Sequence, residues 1–173
     1  MPAMSGVYLP MPEFLLEASR EIPNLSGLKF THSDLMEFHQ CLMAENSKFD
    51  ILHGYDETLL CGLVLGTKAA VGSTYNIMPG VYQKLMEYYH EGKIEEAREM
   101  QRISVNLVAI LNKYGGAVAC GKAVMNLLDM NFGPCRLPIR NLSSSDIDQL
   151  KKDLEGIDFF NLVEDQSSQL KQH

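Results

Sequence analysis

The chain has 173 residues, with 15 Lys+Arg against 22 Asp+Glu, for a formal net charge of −7. Its 46% apolar content is enough to build a core and excludes a disordered chain, and the length suits one domain with at most an appendage. An acidic chain without a basic stripe is excluded as a nucleic-acid partner, because phosphate contacts need clustered Lys and Arg.

The elements follow in chain order. Pro12 sits at the first turn of a helix running to about Arg20, expected to bury Phe14, Leu15 and Ala18. Residues 25–30 form a short apolar strand. Ser33 or Asp34 then caps a helix, with Glu37 placed for a capping box and Leu35, Phe38 and Leu42 on one face. A second strand covers 49–53. The next helix covers 57–65, carries Leu59, Leu60, Leu63 and Val64, and stops at Gly66. A third strand is expected over 68–72.

From Pro79 to Leu128 every signal is helical. One helix ends near Gly92. A long one follows with Ile94, Ala97, Ile103, Leu107, Ile110 and Leu111 inward, and it stops at Gly115 and Gly116. A third runs from about Cys120 to Met130. Pro134 and Pro138 break the chain, Ser145-x-x-Asp148 opens a last helix, and the polar tail from Glu164 to His173 is expected to fray.

Short apolar strands alternating with amphipathic helices indicate an α/β fold with a parallel sheet. About three such strands cannot cover both faces and both edges of a sheet. A complete (β/α)8 barrel needs eight strands and roughly 250 residues. The chain therefore reads as the C-terminal part of a TIM barrel over residues 1–78. A C-terminal helical extension follows over 79–160, then a polar tail over 161–173.

The longest apolar run, residues 59–66, is far too short to span a bilayer, so no membrane is expected as a partner. The first six residues, Met-Pro-Ala-Met-Ser-Gly, have no charged or apolar leader character, so no secretory signal is expected. Cys41, Cys61, Cys120 and Cys135 fit no zinc spacing and read as reduced thiols of a cytoplasmic protein. His32, His39, His53, His90 and His173 form no metal motif, and no metal is expected.

Three features could carry chemistry. Lys29 lies at the carboxyl end of the first strand, where barrel enzymes place their active sites. There it is expected to be partly dehydrated, which favours the neutral amine needed to attack a ketone. The plainer alternative is a lysine that extends its ammonium to water. Asp56 and Glu57 follow the second strand in Gly54-Tyr55-Asp56-Glu57. They either receive hydrogen bonds from a polyhydroxylated ligand or stabilise a helix start. Gly72-Ser73-Thr74-Tyr75-Asn76 follows the third strand, and is either an ordinary loop or a close backbone approach to a ligand with the Ser73 hydroxyl beside it. All three fall at the same end of three consecutive strands, which would face one pocket.

The ordered set Gly27-Leu28-Lys29-Phe30-Thr31, Gly54-Tyr55-Asp56-Glu57 and Gly72-Ser73-Thr74-Tyr75-Asn76 resembles the N-acetylneuraminate lyases, the sialic acid aldolases. Met1-Pro-Ala-Met-Ser-Gly-Val7 resembles the segment after that family's fifth barrel strand, and Gly133-Pro-Cys-Arg136-Leu-Pro138 a loop near its C-terminus. The resemblance covers about residues 1–160 and is closest to the eukaryotic enzymes. The lysine motif alone marks only the wider superfamily of pyruvate-handling class I aldolases, dihydrodipicolinate synthase among them; the Asp-Glu pair is the more specific feature.

The resemblance implies Lys29 as the Schiff-base lysine and Thr31, Gly54, Asp56, Glu57 and Ser73 as substrate contacts. It implies cleavage of N-acetylneuraminate to N-acetylmannosamine and pyruvate, with no metal and no cofactor, in a homotetramer. It reaches only strands six to eight of the family's barrel and the helices beyond. The family's Gly-Ser-Thr-Gly-Glu loop for the pyruvyl carboxylate lies outside this part. So does its proton-shuttling tyrosine, which precedes the position of Met1; Tyr55, Tyr75 and Tyr114 do not stand there. The 173 residues by themselves are therefore expected to be inactive, as a truncated isoform, an incomplete gene model or a fragment. The rival expectations are a non-catalytic chain associating with full-length subunits, and another pyruvate-dependent aldolase.

Overall fold

The computed structural model describes residues 5–170, with side chains through Glu164. The first four residues of the Met1-Pro-Ala-Met motif lie outside the described residues. The chain divides into two compact units, residues 1–72 and 73–173.

The first unit holds the sheet. Helix α1 (Met11–Glu21) begins with Pro12 in its first turn and buries Leu15 and Ala18, whereas Phe14 is 45% exposed and does not join the core as expected. Strand β1 (Gly27–Phe30) pairs in parallel with β2 (Asp50–His53), Lys29 opposite Leu52 and Phe30 opposite His53. Between them runs α2 (Leu35–Ser47), which leaves helical geometry at Ala44, Glu45 and Asn46. Asp34 caps α2 by accepting from the Glu37 N–H at 2.9 Å. The reciprocal half of the capping box is replaced by a longer tie: the Glu37 carboxylate accepts the Met11 N–H at 2.9 Å, fastening the start of α1 to α2. Leu35 is exposed rather than inward.

Strand alternation sorts the side chains. Phe30 and Ile51 turn toward the helices and join Leu15, Phe38, Cys41 and Phe49 in one core. Fully burying a side chain such as Phe38 stabilises by about 1.5–3 kcal/mol, more than a typical cap contributes. Lys29 stands on the other face of β1. A 3-10 turn (Asp56–Thr58) and helix α3 (Leu59–Leu65) follow β2 and stop at Gly66, with Leu59 and Leu63 buried and Val64 exposed.

The expected third strand is reduced to a single parallel bridge between His53 and Ala70. The His53 N–H donates to the Ala69 carbonyl at 3.1 Å and the Val71 N–H to the His53 carbonyl at 2.9 Å. The physical reason is side-chain poverty: Ala69 and Ala70 offer little to pack, and Val71 is 45% exposed. Strands β1 and β2 pair over their full length.

The second unit is helical. Its helices are α4 (Pro79–His90), α5 (Ile94–Lys113), α6 (Ala117–Leu127), α7 (Ser144–Glu155) and α8 (Phe159–Leu170). Helix α5 buries Ala97, Leu107 and Leu111 against α4 and α6, while Ile94, Ile103 and Ile110 are only half-buried. The capping box of α7 is Ser143 with Asp146, two residues before the expected pair. Helix α8 runs through the stretch expected to fray, because Phe159 anchors it at 0% exposure and Leu162 and Val163 follow at helical spacing. Among the described residues no single helix is long and apolar enough to cross a membrane; α5 and α6 reach that composition only together, across a 107° bend.

The first unit leaves apolar side chains in water: Met36 is 71% exposed, Val7 59%, Leu9 52% and Val71 45%. Apolar surface of this kind drives association. Residues 1–173 expressed alone are therefore expected to elute from size exclusion as oligomers or aggregates. A monomeric preparation would contradict this.

Candidate functional site

The carboxyl ends of β1 and β2 set the geometry. Gly54 follows β2 directly, and its N–H donates to the Phe30 carbonyl at 2.9 Å, drawing the two strand ends together. A Cβ on Gly54 would lie 2.0 Å from Thr31 Oγ1, 2.7 Å from the Phe30 carbonyl oxygen and 3.0 Å from Lys29 Cε. Only a residue without a side chain fits there, so the glycine brings Lys29, Thr31 and the start of the 54–57 loop into contact. Thr31 is buried. Lys29 is exposed, so the expected partial dehydration is not found. Strand alternation sets it on the face of β1 opposite Phe30. Lys29, Thr31, His32 and Glu37 line a cleft of about 200 Å³ with Ser5, Val7 and Leu9.

Asp56 is 5% exposed, and Glu57 is half-buried. A Cβ on Gly72 would lie 1.4 Å from Asp56 Oδ1 and 2.2 Å from its Cγ. The space beside Gly72 that the sequence offered to a ligand is thus filled by the Asp56 carboxylate, which the glycine admits. Neither acidic residue acts as a side-chain helix cap. The N-cap positions are Tyr55 for the 3-10 turn and Thr58 for α3, and neither makes a side-chain cap hydrogen bond.

Ser73 opens the second unit. Thr74, next to it, is buried and hydrogen-bonded to the Tyr82 hydroxyl, which meets Ser104 Oγ at 2.8 Å. That chain anchors the loop and leaves Ser73 exposed at the edge of a cavity of about 430 Å³, lined also by Ile77, Val118, Met125 and Phe132. Lys122 fixes one wall of this cavity by donating to the carbonyls of Phe132 at 2.9 Å and Pro134 at 3.1 Å.

Sequence reasoning missed Glu37 and His32 as lining residues. Glu37 was visible as a capping residue, but its contact with Met11 spans 26 positions and leaves no local signal. It also gave no sign that His53 is buried, at 1% exposure. Burial pushes the His53 imidazole below its usual range, against the opposing pull of Asp56 and of the Tyr55 and Thr58 backbone. Cys41 and Cys120 are buried, and burial pushes both thiols up to about 12. Among the described residues no cluster of His, Cys, Asp or Glu could hold a metal ion.

A family model for the dihydrodipicolinate synthetase family matches residues 1–157. The chain is 35% identical over 159 residues to N-acetylneuraminate lyase of Gallus gallus, covering 91% of this chain and 52% of that protein. Among solved structures, the N-acetylneuraminate lyase of Aliivibrio salmonicida superposes with a TM-score of 0.84 at 40% identity, over 90% of this chain and 52% of that one. The Proteus mirabilis N-acetylneuraminate lyase gives the same TM-score of 0.84 and the same coverage at 36% identity. The chain spans about half the length of the curated relatives it matches, corresponding to their C-terminal portion.

Proposed function

The chain belongs to the dihydrodipicolinate synthetase family, and on that premise we propose that the whole barrel to which it contributes is an N-acetylneuraminate lyase. Residues 1–78 supply its last βα units and 79–160 its helical extension. The observation that carries the reading is the closure of Gly54 onto Lys29 and Thr31, two residues before the buried Asp56. It joins an amine at a strand end to carboxylates suited to a polyol.

In this reading Lys29 Nζ attacks the C2 ketone of the open-chain sugar acid, and water leaves as the iminium forms. The C4 hydroxyl gives up its proton and the C3–C4 bond breaks. Its electron pair moves into the iminium, leaving an enamine of pyruvate and free N-acetylmannosamine. Protonation at C3 and hydrolysis by water then release pyruvate and restore the amine. Thr31, Gly54 and Ser73 contact the substrate, and Asp56 and Glu57 accept hydrogen bonds from its hydroxyls. No metal or organic cofactor enters these steps. Four cysteines without a disulfide support a cytoplasmic enzyme, and the likeness to the lyases supports a homotetramer.

The substrate assignment is tested at the carboxylates. Each charge-assisted hydrogen bond lost is worth roughly 1.5–3 kcal/mol. Asp56→Ala or Glu57→Ala in the full-length enzyme should therefore lower kcat/KM for sialic acid about tenfold or more. Borohydride trapping of pyruvate should remain near wild type. Normal cleavage by both variants would leave the pair without a role in the substrate.

A further inference from the structure

We infer that His53 and Thr58 are positioning residues that set the turn carrying Asp56 and Glu57; this deepens the lyase reading and rests on it. The inference starts from an imidazole in an apolar place. His53 closes β2 on the same face as Ile51, is 1% exposed, and meets the Phe38 ring edge-on with centroids 5.2 Å apart. A polar ring in such a position costs free energy unless it is hydrogen-bonded. Here Nε2 lies 3.0 Å from Thr58 Oγ1, and that hydroxyl lies 3.4 Å from the Tyr55 carbonyl oxygen to which it donates.

The chain of contacts thus runs from the end of a strand into the first and last residues of the 55–58 turn. The ring's other side is closed by α3: a Cβ on Gly62 would lie 2.7 Å from Nδ1 and 2.8 Å from Cγ, so the helix packs against the Nδ1–Cγ side of the imidazole. Nδ1 has no hydrogen-bond partner among the described residues. The ring's polar tie is therefore spent on the turn. From the other side, Gly72 admits the Asp56 carboxylate. Neither Tyr55 nor Thr58 adds a side-chain cap to the turn or to α3. Held by the imidazole on one side and admitted by the glycine on the other, the turn keeps the backbone of Asp56 and Glu57 in one conformation. A fixed carboxylate binds a polyol without the ordering cost that a loose one incurs.

Thr58→Val keeps the shape and removes the hydroxyl, and Thr58→Ser restores it. In the full-length enzyme Thr58→Val should raise KM for sialic acid by about threefold to tenfold, the size of one lost neutral hydrogen bond, with kcat and pyruvate trapping at Lys29 unchanged. Thr58→Ser should return KM to near wild type. Amide hydrogen exchange should quicken at residues 55–58 in Thr58→Val and in His53→Phe, while residues 27–30 keep their protection. Exchange at 55–58 that matches wild type overturns the inference, as does a loosened turn with an unchanged KM. If the wild-type enzyme does not cleave sialic acid, the lyase reading fails, and amide exchange still decides whether His53 and Thr58 hold the turn.

Discussion

Lys29→Arg in a full-length barrel carrying this chain should reduce both sialic acid cleavage and borohydride trapping of pyruvate to background. A guanidinium stays protonated at any working pH and cannot form the imine. The substitution keeps the charge and most of the length of an exposed side chain, so stability should stay within about 0.5 kcal/mol of wild type. The loss is then chemical and not a failure to fold. Wild-type enzyme treated with pyruvate and borohydride should yield a single modified peptide containing Lys29. Mapping of the adduct to Lys68 or Lys122 would remove Lys29 from the mechanism. Neither rival lysine stands at a strand end: Lys68 is exposed ahead of the Ala70 bridge, and Lys122 is spent on carbonyls of the 132–134 loop.

Gly54→Ala should be strongly damaging for a change of a single carbon. The added Cβ would sit 2.0 Å from Thr31 Oγ1 and 2.7 Å from the Phe30 carbonyl oxygen, and a carbonyl cannot rotate away as a flexible side chain can. Relief requires the ends of β1 and β2 to part, which breaks the 2.9 Å bond from the Gly54 N–H to that carbonyl. Overpacking of this kind costs about 1–3 kcal/mol, and the lost backbone bond adds about 1 kcal/mol. The melting temperature should fall by several degrees, and pyruvate trapping at Lys29 should slow with it, because the same contact positions the lysine stem. Gly121→Ala is the control. Its Cβ would meet only Ile77 Cδ1 at 3.9 Å, so its melting temperature should equal or exceed wild type. If Gly54→Ala melts with wild type and traps pyruvate at the wild-type rate, the close approach has no part in the site.

Local chemistry was legible wherever one residue decides the outcome. Pro12 starts α1, Asp34 caps α2 and Gly66 ends α3, as the residues themselves require. Lys29 and Gly54 fall at strand ends because alternation and turn residues mark those ends in the sequence. Family membership was legible for a similar reason: the three motifs are contiguous, and each keeps its order along the chain.

What the sequence left open depends on partners far away in the chain. Two alanines and an exposed valine carry an apolar pattern over 68–72, but a strand also needs side chains that pack, and only one bridge forms. The exposure of Lys29 depends on what covers its face of the sheet, which no local spacing encodes. Phe14 and Leu15 are adjacent and equally apolar; the packing of α1 on α2 alone buries one and leaves the other in water. The Asp-Glu pair taken alone read more readily as stabilising a helix start than as ligand contacts; the structure sets both acids in the first turn of the 3-10 segment, puts the side-chain cap positions on neighbouring residues and packs the Asp56 carboxylate against Gly72. His53 carried no motif at all. Its place beneath the carboxylate turn is fixed by strand register, by the missing side chain of Gly62 and by the Thr58 hydroxyl. These are three facts that the sequence states separately and only the tertiary structure brings within hydrogen-bonding and van der Waals reach.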